Sequence, residues 1–147
     1  MASTVNELNR DNLVFTAYNA GVTTINAGEL VAAYNNQDAV TSKANLADND
    51  LQVQNMDTLL CYECVGIALE TMTTAATPAT AYGAISTRGI YILRAGLLST
   101  AGIHIAPRGG PDPAEVVTSD TASWWIGRAL TGASAADAYI VAILDVA

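Results

Sequence analysis

Few residues in this chain are of types that do chemistry, and each of them lacks companions. Cys61-Tyr62-Glu63-Cys64 has the spacing of a redox dithiol or of half a zinc site. On a β-strand, residues three apart point to opposite faces, so the two sulfurs diverge. A redox pair instead uses a helix start to bring them together and lower one thiol pKa. The nearby carboxylates of Asp57, Glu63 and Glu70 would raise that pKa. A structural zinc ion takes four ligands of the Cys or His type, and His104 alone is left to join these two. Cys61 and Cys64 therefore read as small packed side chains kept reduced.

The remaining candidates are thinner. His104 lies between Ile103 and Ile105, so it faces outward if those two face the core, and no Ser, Cys or Asp motif beside it completes a nucleophile and base. Arg108-Gly109-Gly110-Pro111 lacks the Lys and the following helix of a phosphate loop. Asp48-Asn49-Asp50 would need several more oxygens to hold calcium. Trp124-Trp125 is the most informative pair. Adjacent strand residues face opposite sides, so we expect one indole in the core and the other looking outward or into a neighbouring subunit. Exposed Trp and Arg are enriched where proteins meet, which makes Trp124, Trp125 and Arg128 the candidate subunit contact. We expect no catalysis, no cofactor and no metal.

The elements that would position these residues are announced by a repeat. Val65-Gly66-Ile67-Ala68-Leu69-Glu70, small polar residues and Ala79-Thr80-Ala81-Tyr82 return as Ile126-Gly127-Arg128-Ala129-Leu130-Thr131, small residues and Ala136-Asp137-Ala138-Tyr139, with the glycines 61 positions apart. Each copy runs into a turn of small residues and comes back through Tyr into apolar alternation, which is the pattern of a β-hairpin. Other β-type runs are Leu13 to Tyr18, Leu51 to Gln54, Leu59 to Leu69, and the alternating Ile85, Ile90, Ile92, Ile103 and Ile105. A run at Leu30 to Tyr34 is ambiguous, because Asn26 followed by Glu29 also resembles a helix cap. Gly89, Gly96 and Gly102 read as turns between short runs, and Arg108 to Pro113 as an exposed tip, since its prolines remove ladder donors.

The expected fold is all-β with room for one short helix: a small β-barrel or sandwich-like domain over residues 13–147, preceded by a flexible N-terminal arm at 1–12. Residues 35–50 read as a long polar excursion with one helical turn near Val40 to Leu46. At 147 residues the length prior is one domain. With 51% apolar and only 14% charged residues, against about 25% charge in an average chain, much of the exterior must be small neutral side chains or be covered by another protein. Six scattered cations under a net charge of −8 argue against nucleic acid and against anionic membranes as partners. No apolar run reaches the length of a bilayer span, and the first residues lack the pattern of a secretion signal, so synthesis in a cytosol-like compartment is expected.

Several short strings, taken in order, are similar to the capsid cement or head decoration proteins of tailed bacteriophages. They are Ala20-Gly21-Val22, the Ala27 to Val31 entry, Val65-Gly66-Ile67-Ala68, Arg88-Gly89-Ile90-Tyr91-Ile92-Leu93, Ala101-Gly102-Ile103-His104-Ile105, Ile126-Gly127-Arg128-Ala129 and the closing Val and Ile alternation. The resemblance spans roughly residues 13–147 and departs from the pattern at 35–58 and at the Arg108 to Pro113 tip. It implies a β-barrel-like protein made in the host cytoplasm. It would sit on the outer capsid surface as a homotrimer at three-fold and quasi-three-fold positions and tie together major capsid protein subunits. In that reading the arm, through Val5, Leu8, Asn9 and Arg10, pairs with a capsid strand edge. Two other classes remain: a tail or head-fibre subunit that stacks a host glycan on Trp124, Trp125 and tyrosines, and a thiol enzyme built on Cys61 and Cys64.

Overall fold

Among the described residues the period-two runs become ten strands. The computed structural model of the chain describes residues 14–34, 51–56, 64–74, 76–96, 100–108, 115–119, 121–135 and 138–146. Among them are β1 (Val14–Asn19), β2 (Leu30–Ala33), β3 (Leu51–Asn55), β4 (Cys64–Ala68), β5 (Tyr82–Ser86), β6 (Arg88–Arg94), β7 (His104–Pro107), β8 (Val116–Thr118), β9 (Gly127–Ala129) and β10 (Tyr139–Asp145). Short 3₁₀ turns cover Pro78–Thr80 and Ala122–Trp124. The all-β expectation holds. The excursion at 35–50, with its expected helical turn, lies outside the described residues.

The strands form two sheets of one design. The first is a closed barrel in the order β1-β3-β2-β4-β5, and the second is a five-stranded sheet in the order β6-β10-β9-β7-β8. Read around the barrel from β3, the first order is 3-2-4-5-1; read from β8, the second is 8-7-9-10-6, the same sequence of strands moved on by five. The registers agree as well. Leu30 pairs with Ile67 and Ile67 with Ser86; at the matching places His104 pairs with Arg128 and Arg128 with Ile143. Parallel pairing of Asn19 with Val53 closes the barrel, and one parallel bridge, Ala95 to Val116, links the edges of the second sheet. Gly28 and Gly102, with φ of 91° and 88°, occupy matching turns. Their amides donate to Ala68 and Ala129 carbonyls at 2.8 and 2.7 Å. A left-handed φ is cheap only for glycine. The repeat read from the sequence at residues 65–82 and 126–139 is therefore one part of a repeat of strand order and register that runs through both sheets of the described residues.

Two glycines explain why that part is preserved. A Cβ on Gly66 would collide with the Ser86 carbonyl oxygen, and one on Gly127 with that of Ile143. Each oxygen lies four residues past the returning tyrosine, Tyr82 or Tyr139. The two hairpins thus make the same close backbone approach, which admits no side chain. Gly89 differs from expectation: it lies inside β6, beneath the Tyr91 ring, and does not form a turn.

Alternation divides the core. Ala17, Ile25, Val31, Val53, Ala68, Met72 and Ile85 fill the barrel interior. Their strand neighbours Leu30, Ala32 and Ile67 point the other way and join Tyr91, Leu93, Ile105, Ile140 and Leu144 of the second sheet in one cluster. The second sheet thus covers the outer face of the first across β2 and β4. Leu30 and Ile67 are fully buried there, each contributing about 2 kcal/mol. At the same seam the Tyr91 hydroxyl donates to Ser86 Oγ at 2.6 Å. Thr87 alone separates β5 from β6, so the two sheets are held close by the chain as well as by the cluster.

Polar groups complete the corners. Asn26 and Glu29 do interact as a cap would: the Asn26 amide donates to Glu29 Oε2 at 2.9 Å, but the segment leads into a strand and no helix follows. Buried Asn19 donates from Nδ2 to the carbonyls of Thr23 and Thr73 at 2.9 and 3.0 Å, binding the following loop to β1. In the second sheet Ala95 stands at that place, and buried Glu115 does comparable work. Its Oε2 accepts from Arg108 Nη1 at 2.9 Å, and its Oε1 faces Arg94 Nε at 3.0 Å as an ion pair without hydrogen-bond geometry. Replacing Gly66 or Gly127 by Ala should each cost about 3 kcal/mol of unfolding free energy, from overpacking against backbone that cannot yield. Urea denaturation measures this, and a loss below 1 kcal/mol would mean that the hairpins do not approach as described.

Candidate functional site

The outer face of the second sheet carries the residues singled out from the sequence. Outward positions on β6 and β10 are Ile90, Ile92, Val141 and Ile143, while Tyr91, Leu93, Ile140, Ala142 and Leu144 point inward. Cross-strand pairing lines up Ile90, Ile143, Arg128 and His104 as one row over β6, β10, β9 and β7. Ile143 is 40% exposed and Tyr139, on the same face, 69%. The row is apolar at Ile90 and Ile143 and polar at Arg128 and His104.

At one end of the row the chain builds a stacked group. The 3₁₀ turn Ala122–Trp124 delivers Trp125 against the His104 ring, with centroids 3.5 Å apart and planes 2° from parallel. The indole Nε1 donates to the Ser119 carbonyl at 2.7 Å, which fixes the ring's direction. Arg128 donates from Nη1 to the Gly102 carbonyl at 2.8 Å and meets His104 Nε2 from Nη2 at 3.1 Å. A guanidinium can only donate, so Nε2 accepts and the ring proton resides on Nδ1. These groups, with Gly127, Ile143 and Asp145, line an open pocket of about 330 Å³. Asp145 also meets Arg88 Nε at 3.3 Å, both side chains largely exposed, a pair that sets direction more than stability.

The structure sorts the expected site residues. Trp125 and Arg128 come together at His104, while Trp124 is exposed on the turn and outside the pocket. The expectation that one indole enters the core is corrected. The pair sits on a 3₁₀ turn, where strand alternation does not apply, and Ile126 is the residue that goes in. His104 faces outward as expected, although Ile103 precedes β7 and is itself exposed. Val5, Leu8, Asn9 and Arg10 lie outside the described residues, as do Cys61 and the Asp48 to Asp50 triplet. Cys64 lies half-buried at the start of β4, its Sγ 3.7 Å from the Gly66 carbonyl oxygen. Among the described residues no three His, Cys, Asp or Glu side chains converge to hold a metal ion. What this face offers is stacking, the guanidinium groups of Arg128 and Arg88, the Asp145 carboxylate and apolar contact.

Ile90, Ile143 and Asp145 were missed by reading for reactive side chains. The signal was present, since Tyr139 to Leu144 and Ile90 to Leu93 are apolar at every position. A strand apolar at every position places large apolar side chains on its outer face as well as in the core.

No protein-family model matches the chain, and no curated protein does. Among solved structures it is similar to the N base of the head fibre gp8.5 of bacteriophage phi29, with a TM-score of 0.58 over 91% of this chain and 94% of that one at 12% sequence identity. At that identity the likeness is one of fold. Trp125→Ala should lower stability by about 2 kcal/mol, from the lost ring pair together with its partial burial, and should shift the His104 ring protons downfield in the NMR spectrum. Unchanged His104 shifts would mean that the rings do not stack in solution.

Proposed function

We propose that this chain is a structural protein of a tailed-phage head. It binds the outer capsid surface as a homotrimer at three-fold and quasi-three-fold positions and reinforces contacts between major capsid subunits. The observation that carries the reading is the match in fold, over nearly the whole of both chains, to a base that belongs to a phage head fibre. Two features of this chain agree with it. The outer face of its second sheet leaves Tyr139, Ile143 and Trp125 exposed, and its net charge of −8 suits the outside of a shell rather than the side facing packaged DNA.

In this reading affinity comes from repetition. If one arm bound a capsid edge at micromolar strength, about 8 kcal/mol, three arms on one rigid trimer would gain a further factor of roughly 10² to 10⁴ by effective concentration. The likeness to a fibre base also favours a second reading, in which the chain is a head-fibre subunit and Trp124, Trp125 and the exposed tyrosines stack a host glycan. Copy number separates them: a cement protein covers the shell in many copies per particle, a fibre in few.

Reconstructions of particles with and without the protein should differ by density outside the shell at the three-fold axes. Identical shells would reject the proposal. Deleting residues 2–12 should abolish capsid binding while leaving the circular dichroism spectrum unchanged. Retained binding by the truncated chain would remove the arm from the account.

A further inference from the structure

The pocket over β9 is a feature that the first sheet does not share. β9 is its floor, with β7 on one side and β10 on the other, so its two walls stand two strand spacings, about 10 Å, apart. His104 and the Trp125 ring stacked on it form one wall, Ile143 and Asp145 the other, and Arg128 stands between them. In the first sheet the places of His104, Arg128 and Ile143 are held by Leu30, Ile67 and Ser86, all fully buried. The repeated frame therefore carries stacking and charged groups only where it is open. We propose that this pocket binds one neutral pyranose residue of a glycan. The inference rests on the head-fibre reading above, names its ligand class, and moves the site from the Trp124 turn to β9.

The class follows from what the walls satisfy. The Trp125 ring is fixed by its Nε1 bond to Ser119 and is 37% exposed, so it offers an electron-rich face to the C–H side of a sugar ring. Ile143 adds a second apolar contact. Arg128 gives one N–H to Gly102 and one to His104, and its other N–H groups remain to donate. The Asp145 carboxylate meets Arg88 yet its side chain is 62% exposed, so it can also accept from a ligand. Hydroxyl groups both donate and accept, and a polyhydroxylated ring therefore answers the guanidinium and the carboxylate at once. An anionic ligand would lie against Asp145 in the field of a chain of net charge −8. A cationic one would meet Arg128 and Arg88. A neutral ring meets neither penalty. The volume of about 330 Å³ is at the small end of the roughly 300–1,000 Å³ found for ligand pockets, which suits a single ring. An open pocket takes little of its ligand out of water, so one site binds weakly, in the millimolar range, and many sites on one particle add strength.

The test titrates the full chain with the methyl glycosides of glucose, galactose, mannose and N-acetylglucosamine, and with methyl glucuronide and glucosamine as charged comparisons. The Trp125 indole and His104 ring protons are followed by NMR. The expected result is saturable millimolar binding of at least one neutral glycoside that shifts both sets of protons. Asp145→Ala should weaken it about 10-fold, the loss of one hydrogen bond to a charged group, and Trp125→Ala should abolish it, with the fold of each variant checked by circular dichroism. Should Trp125→Ala unfold, Asp145→Ala, at an exposed side chain, decides alone. Tighter binding of either charged sugar than of every neutral one would overturn the inference, as would binding that Trp124→Ala removes and Trp125→Ala does not. Adsorption to host cells is compared in parallel for particles with and without the protein. If adsorption needs the protein and no glycoside shifts these protons, the inference falls and the head-fibre reading stands. If neither adsorption nor the spectrum changes, both fall.

Discussion

The seam between the two sheets is the constraint on which the rest of the molecule depends. Leu30 and Ile67 point away from their own barrel, and two fully buried aliphatic side chains are together worth about 4 kcal/mol, a sizeable part of a domain's usual margin of about 5 to 15 kcal/mol. The barrel has its own interior of Ile25, Val31, Val53, Met72 and Ile85 between Ala17 and Ala68. Covering its outer face lets the cluster continue from one sheet into the other, and the single residue Thr87 between β5 and β6 keeps them together.

Duplication followed by divergence explains where the two units differ. Positions that shape the hairpins are unchanged: Gly66 and Gly127 at the close approach, Gly28 and Gly102 at the left-handed turns. Positions on the outer row have changed in kind. Leu30, Cys64 and Ile67 in the covered unit correspond to His104, Trp125 and Arg128 in the uncovered one. Such residues tolerate water and also suit a contact that forms and dissolves, whereas a row of Leu and Ile left open would aggregate. At the closing edge, Tyr18 and Gln52 of the first unit correspond to Arg94 and Glu115 of the second, so aromatic contact with Tyr82 is exchanged for a buried ion pair.

Much of the architecture was legible because side-chain period and glycine placement report directly on strands and turns. The β1, β3, β5, β6 and β7 runs, the paired hairpins and the ambiguity at Asn26 and Glu29 all correspond to physical features of the structure. The duplication beyond the hairpins was not legible, since strand order and register tolerate almost any sequence that alternates: Leu30-Val31 and His104-Ile105 share a place and little else. The Trp124-Trp125 reading failed because it assumed a strand at a 3₁₀ turn. Trp125 and Arg128 were found by residue type, but His104 was weighed as a zinc ligand and a base rather than as their partner, and Ile143 not at all. Their significance lies in the row they share, which is a property of pairing and not of any one residue.

One outer face is satisfied within the chain and its twin is left open. The central claim is that the seam makes one cooperative body of two similar sheets. Differential scanning calorimetry of the single chain tests it most directly. The account predicts one transition with equal calorimetric and van't Hoff enthalpies, and its breakdown into two transitions when Ile67 is replaced by Asp. Two separate transitions in the unaltered protein would contradict it.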